Sequence, residues 1–391
     1  MNARPQIPEH EYLDRAARAA KLTAAAGLDV LVANATDSDY SNVRYFSRYW
    51  PLFEMGGVAI SPSGKTALMI GLESENYARG SSLIPNIHML KEYRETADPA
   101  YPGMKSATYA DVFESLGVTS PKRIGVAGWL CTNLAMHEGL RACFPKAEIV
   151  NADDILTTLR SVKSPAEVAC LREGLRIGEL ALEAMLQAIK PGMTELELSG
   201  IAVDTIYRNG GECEAHTVYS FGGKKTTNAI SRATHRRFEK NEIVQINVGG
   251  RVDGYSPSVG RPICLGKMTD AQRRLLSFGL EMHLQTYDWM RAGLVAGDVA
   301  RRYEEHVKQA GMGEYYLYGP CHGLGMLEVE KPWLETCSTY RLAPNMTFQA
   351  DTFFCDKDFG LRWENGLLVT PEGKAEMLNA GTHLELIEID R

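Results

Sequence analysis

Val244-Gln-Ile-Asn-Val-Gly-Gly-Arg-Val-Asp-Gly-Tyr-Ser-Pro-Ser-Val-Gly-Arg-Pro-Ile-Cys-Leu-Gly266 decides how the rest of the chain is read. Val244, Ile246 and Val248 alternate, so they share one strand face and leave Gln245 and Asn247 on the other. A bend follows at Gly249-Gly250 or Asp253-Gly254, and beyond it Ser256, Ser258 and Gly260 share a face. In a hairpin or neighbouring strands, Asn247 and Ser258 would aim an amide and a hydroxyl at one spot.

The surrounding chain has 391 residues, enough for two domains, because single cores stop growing near ~250–300 residues. Its formal charge of -7 argues against a nucleic-acid partner. Lys224-Lys225 and Arg236-Arg237 are basic doublets of the kind found on solvated loops. The eight cysteines form no Cys-x-x-Cys pair, which points to reduced thiols rather than a disulfide framework or structural zinc. The stretch Met1–Pro8 lacks the apolar core of a signal peptide. No run approaches the ~18–20 apolar residues of a membrane span, so a cytoplasmic protein without membrane contact is expected.

Taken in order, residues 9–26 read as an amphipathic helix stopped by Gly27, and 28–33 as a buried strand. Residues 42–50 read as a short helix and an aromatic loop. A hairpin is predicted over 57–60 and 66–71 around Ser61-Pro-Ser-Gly64. A helix at 111–116, a strand at 123–127, a helix at 134–143 and a strand at 147–150 complete one α/β domain. Ser161–Glu167 marks a boundary, with Ser164 as N-cap and Pro165 in the first turn of a helix running to about Ile189. The domains are therefore expected at 1–158 and 159–391. In the second, a long helix, a Gly-containing turn and a second helix occur twice (165–206 and 270–306), each time followed by β-rich sequence. An internal duplication with helices on one side of a shared curved sheet is expected.

Three later segments carry side chains suited to acid–base work. His322 lies among the glycines of residues 319–325, Asp351 ends Leu342–Asp351, and Arg362 and Glu364 lie on a strand over 361–369. His216, in Glu214–Tyr219, lies on a predicted strand leading toward the same pocket, with Tyr219 on the opposite parity; His235 falls in a loop. Ser256 and Ser258 lack a Gly-x-Ser-x-Gly setting, so hydrogen bonding is their expected role.

From about Arg160 onward the order of segments resembles the pita-bread domain of the creatinase, prolidase and aminopeptidase P family. Asn42-Val-Arg-Tyr-Phe resembles a hallmark of that family's N-terminal domain. Leu159-Arg-Ser-Val-Lys-Ser, Gly254-Tyr255, Arg261, His322-Gly-Leu-Gly, Glu330-x-Pro332 and Leu342-x-Pro-x-Met346 follow in the family's order. The resemblance implies an α/β creatinase-like N-terminal domain and an α+β pita-bread C-terminal domain with internal duplication. In the metallopeptidases two aspartates, a histidine and two glutamates hold two divalent ions; here these positions fall on Asn247, Ser258, His322, Asp351 and Glu364. Two further family histidines fall on Val329 and Ile230. An amide and a hydroxyl are poor replacements for anionic oxygens.

The expectation from this pattern is a metal-independent, creatinase-like hydrolase of a C–N bond in a small nitrogen-rich compound, without cofactor. His322, Asp351 and Glu364 would be catalytic. Asn247, Ser256, Ser258, His216, Tyr255, Arg261 and Arg362 would bind substrate. The chain departs from creatinase itself, whose acid–base histidine falls on Ile230, whose glutamate falls on Gly260, and whose carboxylate-binding cation falls on Glu54. The first alternative is an Xaa-Pro dipeptidase or aminopeptidase P-type enzyme with unusual ligands, using Mn, Zn or Co on His322, Asp351 and Glu364. The second is a non-catalytic binding module. The resemblance also implies a homodimer with a shared active site, in which Trp50, Phe53 and Glu54 reach the partner's pocket; Tyr45, Phe46, Tyr49 and Trp50 equally suit the domain's own core.

Overall fold

The computed structural model describes residues 4–97 and 102–390; Met1–Ala3 of the N-terminal stretch lie outside them. The chain divides into one unit over Ile7–Arg160 and another comprising Ser161–Arg391 and the residues before Ile7.

The first unit runs α1 (Glu9–Ala25), β1 (Val30–Ala35), α2 (Ser41–Ser47), β2 (Gly56–Ile60), β3 (Thr66–Ile70), α3 (Glu75–Ser81), β4 (Ile87–Met89), α4 (Tyr109–Ser115), β5 (Arg123–Ala127), α5 (Leu134–Cys143), β6 (Glu148–Asn151) and α6 (Asp153–Ser161). Its six-stranded mixed sheet has the order β4-β3-β2-β1-β5-β6. The first strand starts two residues later than the hydrophobic run predicts. Gly27 takes φ 65° and the Leu28 N–H closes on the Thr23 carbonyl, while Asp29 accepts from the amides of Lys122 and Arg123. These two residues are spent ending a helix and anchoring a loop. Tyr45, Phe46 and Tyr49 are buried in this unit, and Trp50 packs on Tyr40 and Arg44.

The second unit runs α7 (Pro165–Ala188), α8 (Glu195–Arg208), β7 (Tyr219–Gly222), β8 (Glu242–Val248), β9 (Val259–Leu265), α9 (Asp270–Trp289), α10 (Ala296–Gln309), β10 (Cys321–Gly323), β11 (Glu330–Leu334), β12 (Thr347–Cys355), β13 (Gly360–Leu368), β14 (Glu376–Met377) and β15 (Ile387–Glu388). Two helices followed by strands thus occur twice. Ser164, Thr194 and Thr269 cap α7, α8 and α9, each with its hydroxyl on the N3 amide and the N3 side chain returning to the cap amide. Each such cap stabilises its helix by about 1 kcal/mol. The main path of the nine-stranded sheet is β11-β10-β12-β13-β9-β8-β7.

α7 packs on β8 and β9, and α9 on β12 and β13, so the long helices cover one face of the sheet. Trp363 lies on that covered face and donates its indole N–H to the Leu276 carbonyl of α9. Its neighbours Arg362 and Glu364 therefore project from the other face, as alternation demands. The β8–β9 connection turns at Asp253 and Gly254, with φ 47° and 87° and a bridge between Val252 and Tyr255. Gly249 is constrained differently: a Cβ there would lie 1.8 Å from the Pro257 carbonyl oxygen.

Candidate active site

Strand register brings distant residues into one row across the uncovered face. Tyr219 of β7 pairs with Asn247 of β8, Asn247 with Gly260 of β9, Gly260 with Glu364 of β13, and Glu364 with Asp351 of β12. Gln349, two residues before Asp351, pairs with His322 of β10. A cavity of about 270 Å³ opens here, lined by residues that include His216, Tyr219, Arg232, Glu328, Arg362 and Glu364.

Backbone groups fix the orientation of the two amides. The Arg362 N–H donates to Gln245 Oε1 at 2.7 Å, which leaves Gln245 Nε2 to donate to Asn247 Oδ1 at 2.6 Å. The Asn247 amide is thereby turned so that its NH₂ donates to the Glu364 carboxylate. The same logic holds at Gln349, whose Nε2 donates to the Ser258 carbonyl at 2.6 Å and to Ser258 Oγ at 3.2 Å. Ser258 then spends its own proton on Glu328 Oε1 at 3.4 Å. Both positions that aspartates would occupy thus present donors to a neighbouring carboxylate.

His322 is buried and donates Nδ1–H to the Gly323 carbonyl at 3.1 Å, since a carbonyl only accepts. Its Nε2 faces Glu328 Oε1 at 3.8 Å. Burial, then the charges of Glu328 and Asp351, raise the Glu364 carboxyl well above its usual range. Burial raises Glu328 as well. Asp351 is held by Arg362 Nε at 3.1 Å and by the Tyr318 hydroxyl at 2.9 Å, and Arg362 also donates to that hydroxyl. Burial opposes the Arg362 charge, but Asp351, Tyr318 and Glu364 outweigh it and hold the guanidinium more firmly protonated than usual. His216 donates Nδ1–H to the Thr217 carbonyl, and burial lowers its pKa, so the ring is neutral at neutral pH.

The residues fit a divalent cation. Ligand atoms of His322, Glu328 and Glu364 all lie within 4.8 Å of one another. Two carboxylates this close in a buried site must share either a proton or a cation. Gln349, fully buried, also keeps its amide oxygen without a hydrogen-bond partner. One imidazole with carboxylate oxygens suits Zn, Mn or Co.

More than half the chain, residues 169–371, matches the model of metallopeptidase family M24, and residues 15–162 match the creatinase/prolidase N-terminal domain. The chain belongs to the M24 metallopeptidase family. Its likeness to an Xaa-Pro dipeptidase of Pyrococcus furiosus is 24% identity over 85% of this chain and 89% of that one. An Xaa-Pro dipeptidase of Lactobacillus helveticus is 25% identical over 66% of this chain and 71% of the relative. Among solved structures, a dipeptidase from Mycobacterium ulcerans superposes with TM-score 0.81 at 22% identity, covering 99% of this chain and 100% of that one. An Xaa-Pro dipeptidase from Bacillus anthracis gives 0.80 at 21% identity, over 97% and 100%.

For this M24 chain two expectations from the sequence are corrected. The metal-independent, creatinase-like hydrolase gives way, because the family matched is one of metallopeptidases and the curated relatives are named Xaa-Pro dipeptidases. The expectation of no cofactor falls with it. The structure adds that Gly260, where creatinase carries a glutamate, has no space for any side chain: a Cβ would lie 2.6 Å from Asn247 Nδ2 and 2.7 Å from Glu364 Cβ.

The remaining site residues divide clearly. His216, Asn247, Ser258, His322, Asp351, Arg362 and Glu364 are gathered at the cavity or in the hydrogen-bonded cluster beside it. His216 does so from the loop before β7 rather than from a strand, and Tyr219 joins it despite the opposite parity. Ser256 turns away, accepting from Arg251 Nε at 2.9 Å. Tyr255 gives its hydroxyl to Glu167 of α7 at 2.5 Å. Arg261 lies on the helix-covered face, donating to the Glu364 carbonyl and Asn365 Oδ1, both at 3.0 Å; it positions β13. Burial pulls its pKa down to about 10, so it stays charged at neutral pH. Glu54 is buried in its own unit, its carboxylate taken by the amides of Glu73 and Ser74 and the Ser74 hydroxyl. It is not offered to a substrate. Glu328 and Tyr318 are not among the residues expected from the sequence, because nothing in local spacing marks either.

Proposed function

We propose that this M24 enzyme is a metal-dependent peptidase of the Xaa-Pro dipeptidase type with an altered ligand set. Its family membership supports this, and the cluster of buried His322 and Glu364 with partly buried Glu328 is the observation that carries it. A divalent cation held by these three would supply a Lewis acid and a water acidic enough to attack at neutral pH. In the hydrolysis, water adds its oxygen to the carbonyl carbon, the C–N bond breaks, and a proton passes to the departing amine. His216, neutral and with Nε2 unprotonated in a residue lining the cavity, is placed to move that proton. Arg232, exposed at the cavity, offers a cation to the free carboxylate of a dipeptide. A cavity of about 270 Å³ suits a small substrate rather than a long peptide.

The reading extends to a homodimer in which the loop at 50–54 of one subunit reaches the other's site. Leu52 and Phe53 are 57% and 75% exposed, and Phe53 sits at φ 60°, a left-handed conformation that costs a residue of its kind about 1 kcal/mol or more. An uncovered apolar tip of that kind is what a partner's pocket would accept. The eight unpaired thiols suit the reducing cytoplasm, and no helix among the described residues is long and apolar enough to cross a membrane.

The test is turnover of Gly-Pro, Ala-Pro and Met-Pro by chelator-stripped protein reloaded with Mn, Zn or Co. Activity restored by metal is expected. Full activity in excess chelator, or none on any dipeptide with any of the metals, would refute the proposal.

A further inference from the structure

We infer that the site holds a single divalent cation, with Glu328 as a ligand, and that the Arg362 guanidinium occupies the electrostatic place of any second. This rests on the metallopeptidase reading and sharpens it.

The first ground is charge. Asp351 and Glu364, buried, and Glu328, partly buried, bring three carboxylates to one cluster, and Arg362 brings one cation paired to Asp351 at 3.1 Å. Two negative charges remain, which one divalent cation neutralises. A second would leave a buried positive excess, and an uncompensated buried charge costs several kcal/mol.

The second ground is donor orientation. Asn247 and Ser258 carry the oxygens a second cation would need. The Arg362 amide locks Gln245, and Gln245 locks Asn247 with its NH₂ on Glu364. Turning that amide over would set Asn247 Oδ1 against the Glu364 carboxylate and its NH₂ against the Gln245 NH₂, losing two buried hydrogen bonds. Ser258 Oγ likewise receives Gln349 and gives its proton to Glu328. A cation approaching from that side would meet N–H and O–H dipoles pointing the wrong way.

The third ground is Glu328. The lost carboxylates at 247 and 258 are balanced by one arriving from the segment between β10 and β11, four residues before Pro332. It reaches within 3.8 Å of His322 Nε2. Asp351, expected from the sequence as a third ligand, is instead engaged by Arg362 and Tyr318.

Stripped protein titrated with MnCl₂ should bind one ion per chain by calorimetry and give an uncoupled Mn(II) electron paramagnetic resonance spectrum. Glu328→Gln should weaken binding by at least about 100-fold, more than loss of an outer-shell partner. Two ions per chain, or an exchange-coupled spectrum, would overturn the single-ion inference while leaving the peptidase reading intact. Unchanged Mn affinity in folded E328Q would overturn the role of Glu328. No binding at all by wild-type protein would remove the peptidase reading as well. The wild-type stoichiometry decides the matter even if the variant does not fold.

Discussion

The two halves of the C-terminal sheet each follow a pair of helices but carry opposite chemistry. In the half built on β7–β9 the residues of the buried row, Tyr219, Asn247, Ser258 and Gly260, are all uncharged, and its one cation at the cavity, Arg232, is exposed. The half built on β10–β13 brings His322, Glu328, Asp351, Arg362 and Glu364. A duplicated scaffold can therefore keep its backbone register while one copy gives up ligation and becomes a hydrogen-bonding wall for the other. Arg261 shows that the first half still has a structural duty, since it holds the carbonyl of Glu364 from the far side of the sheet.

The charged half should bear the largest losses. His322→Ala or Glu364→Ala should lower kcat/KM by about 10³-fold or more, roughly 4 kcal/mol of transition-state stabilisation. Loss of less than tenfold in either would place the chemistry elsewhere. The neutral half should respond differently: Asn247→Asp removes a donor from Glu364 and sets a like charge against it. In chelator it should unfold with about 1–3 kcal/mol less stability, and Mn should stabilise it more than wild type. Equal stability in chelator would show that Asn247 is not the partner of Glu364. Gly260→Ala, at the seam of the halves, should cost about 1–3 kcal/mol by overpacking against Asn247 and Glu364.

His283 reports on the covered face beneath both. It is fully buried, with Nε2 3.1 Å from Asn365 Oδ1, and burial, then Arg261, lowers its pKa to about 3. Unfolded, it titrates near 6.5, so below that pH the unfolded chain binds the extra proton. Stability should therefore be lost as pH falls from 6.5 toward 3, with a slope of up to about 1.4 kcal/mol per pH unit from this group. His283→Gln should flatten that part of the profile in denaturant titrations at each pH; an unchanged slope would assign it to other groups. The smallest effect should come from Glu54→Gln, which leaves KM for a dipeptide unchanged and lowers the melting temperature slightly.

Much of the fold was legible because periodicity and caps are local. Ser164-Pro165 and Glu167 start α7 where the residues say, and Asp253-Gly254 makes one of the two turns they allow. The parity of Trp363 against Arg362 and Glu364 also follows from alternation alone. The site was legible in its strand residues and in His216 and Ser258 beside them, but not in Tyr318 and Glu328. Glu328 lies on no strand, and its approach to His322 depends on the path of the chain between β10 and β11. The orientation of Asn247 depends on Gln245 and on a backbone amide 115 positions away in sequence, which no local pattern carries (Arg362 against Asn247). Glu54 failed for the opposite reason: its alignment suggested a substrate contact in the partner's pocket, while its carboxylate is consumed by three donors of its own unit.

The most direct test is anomalous diffraction from crystals of the full chain grown with Mn. One peak is predicted, touching His322 Nε2 and the carboxylates of Glu328 and Glu364, with Arg362 still on Asp351. Two peaks, or one bound at Asp351 and Asn247 with Glu328 turned away, would contradict the account.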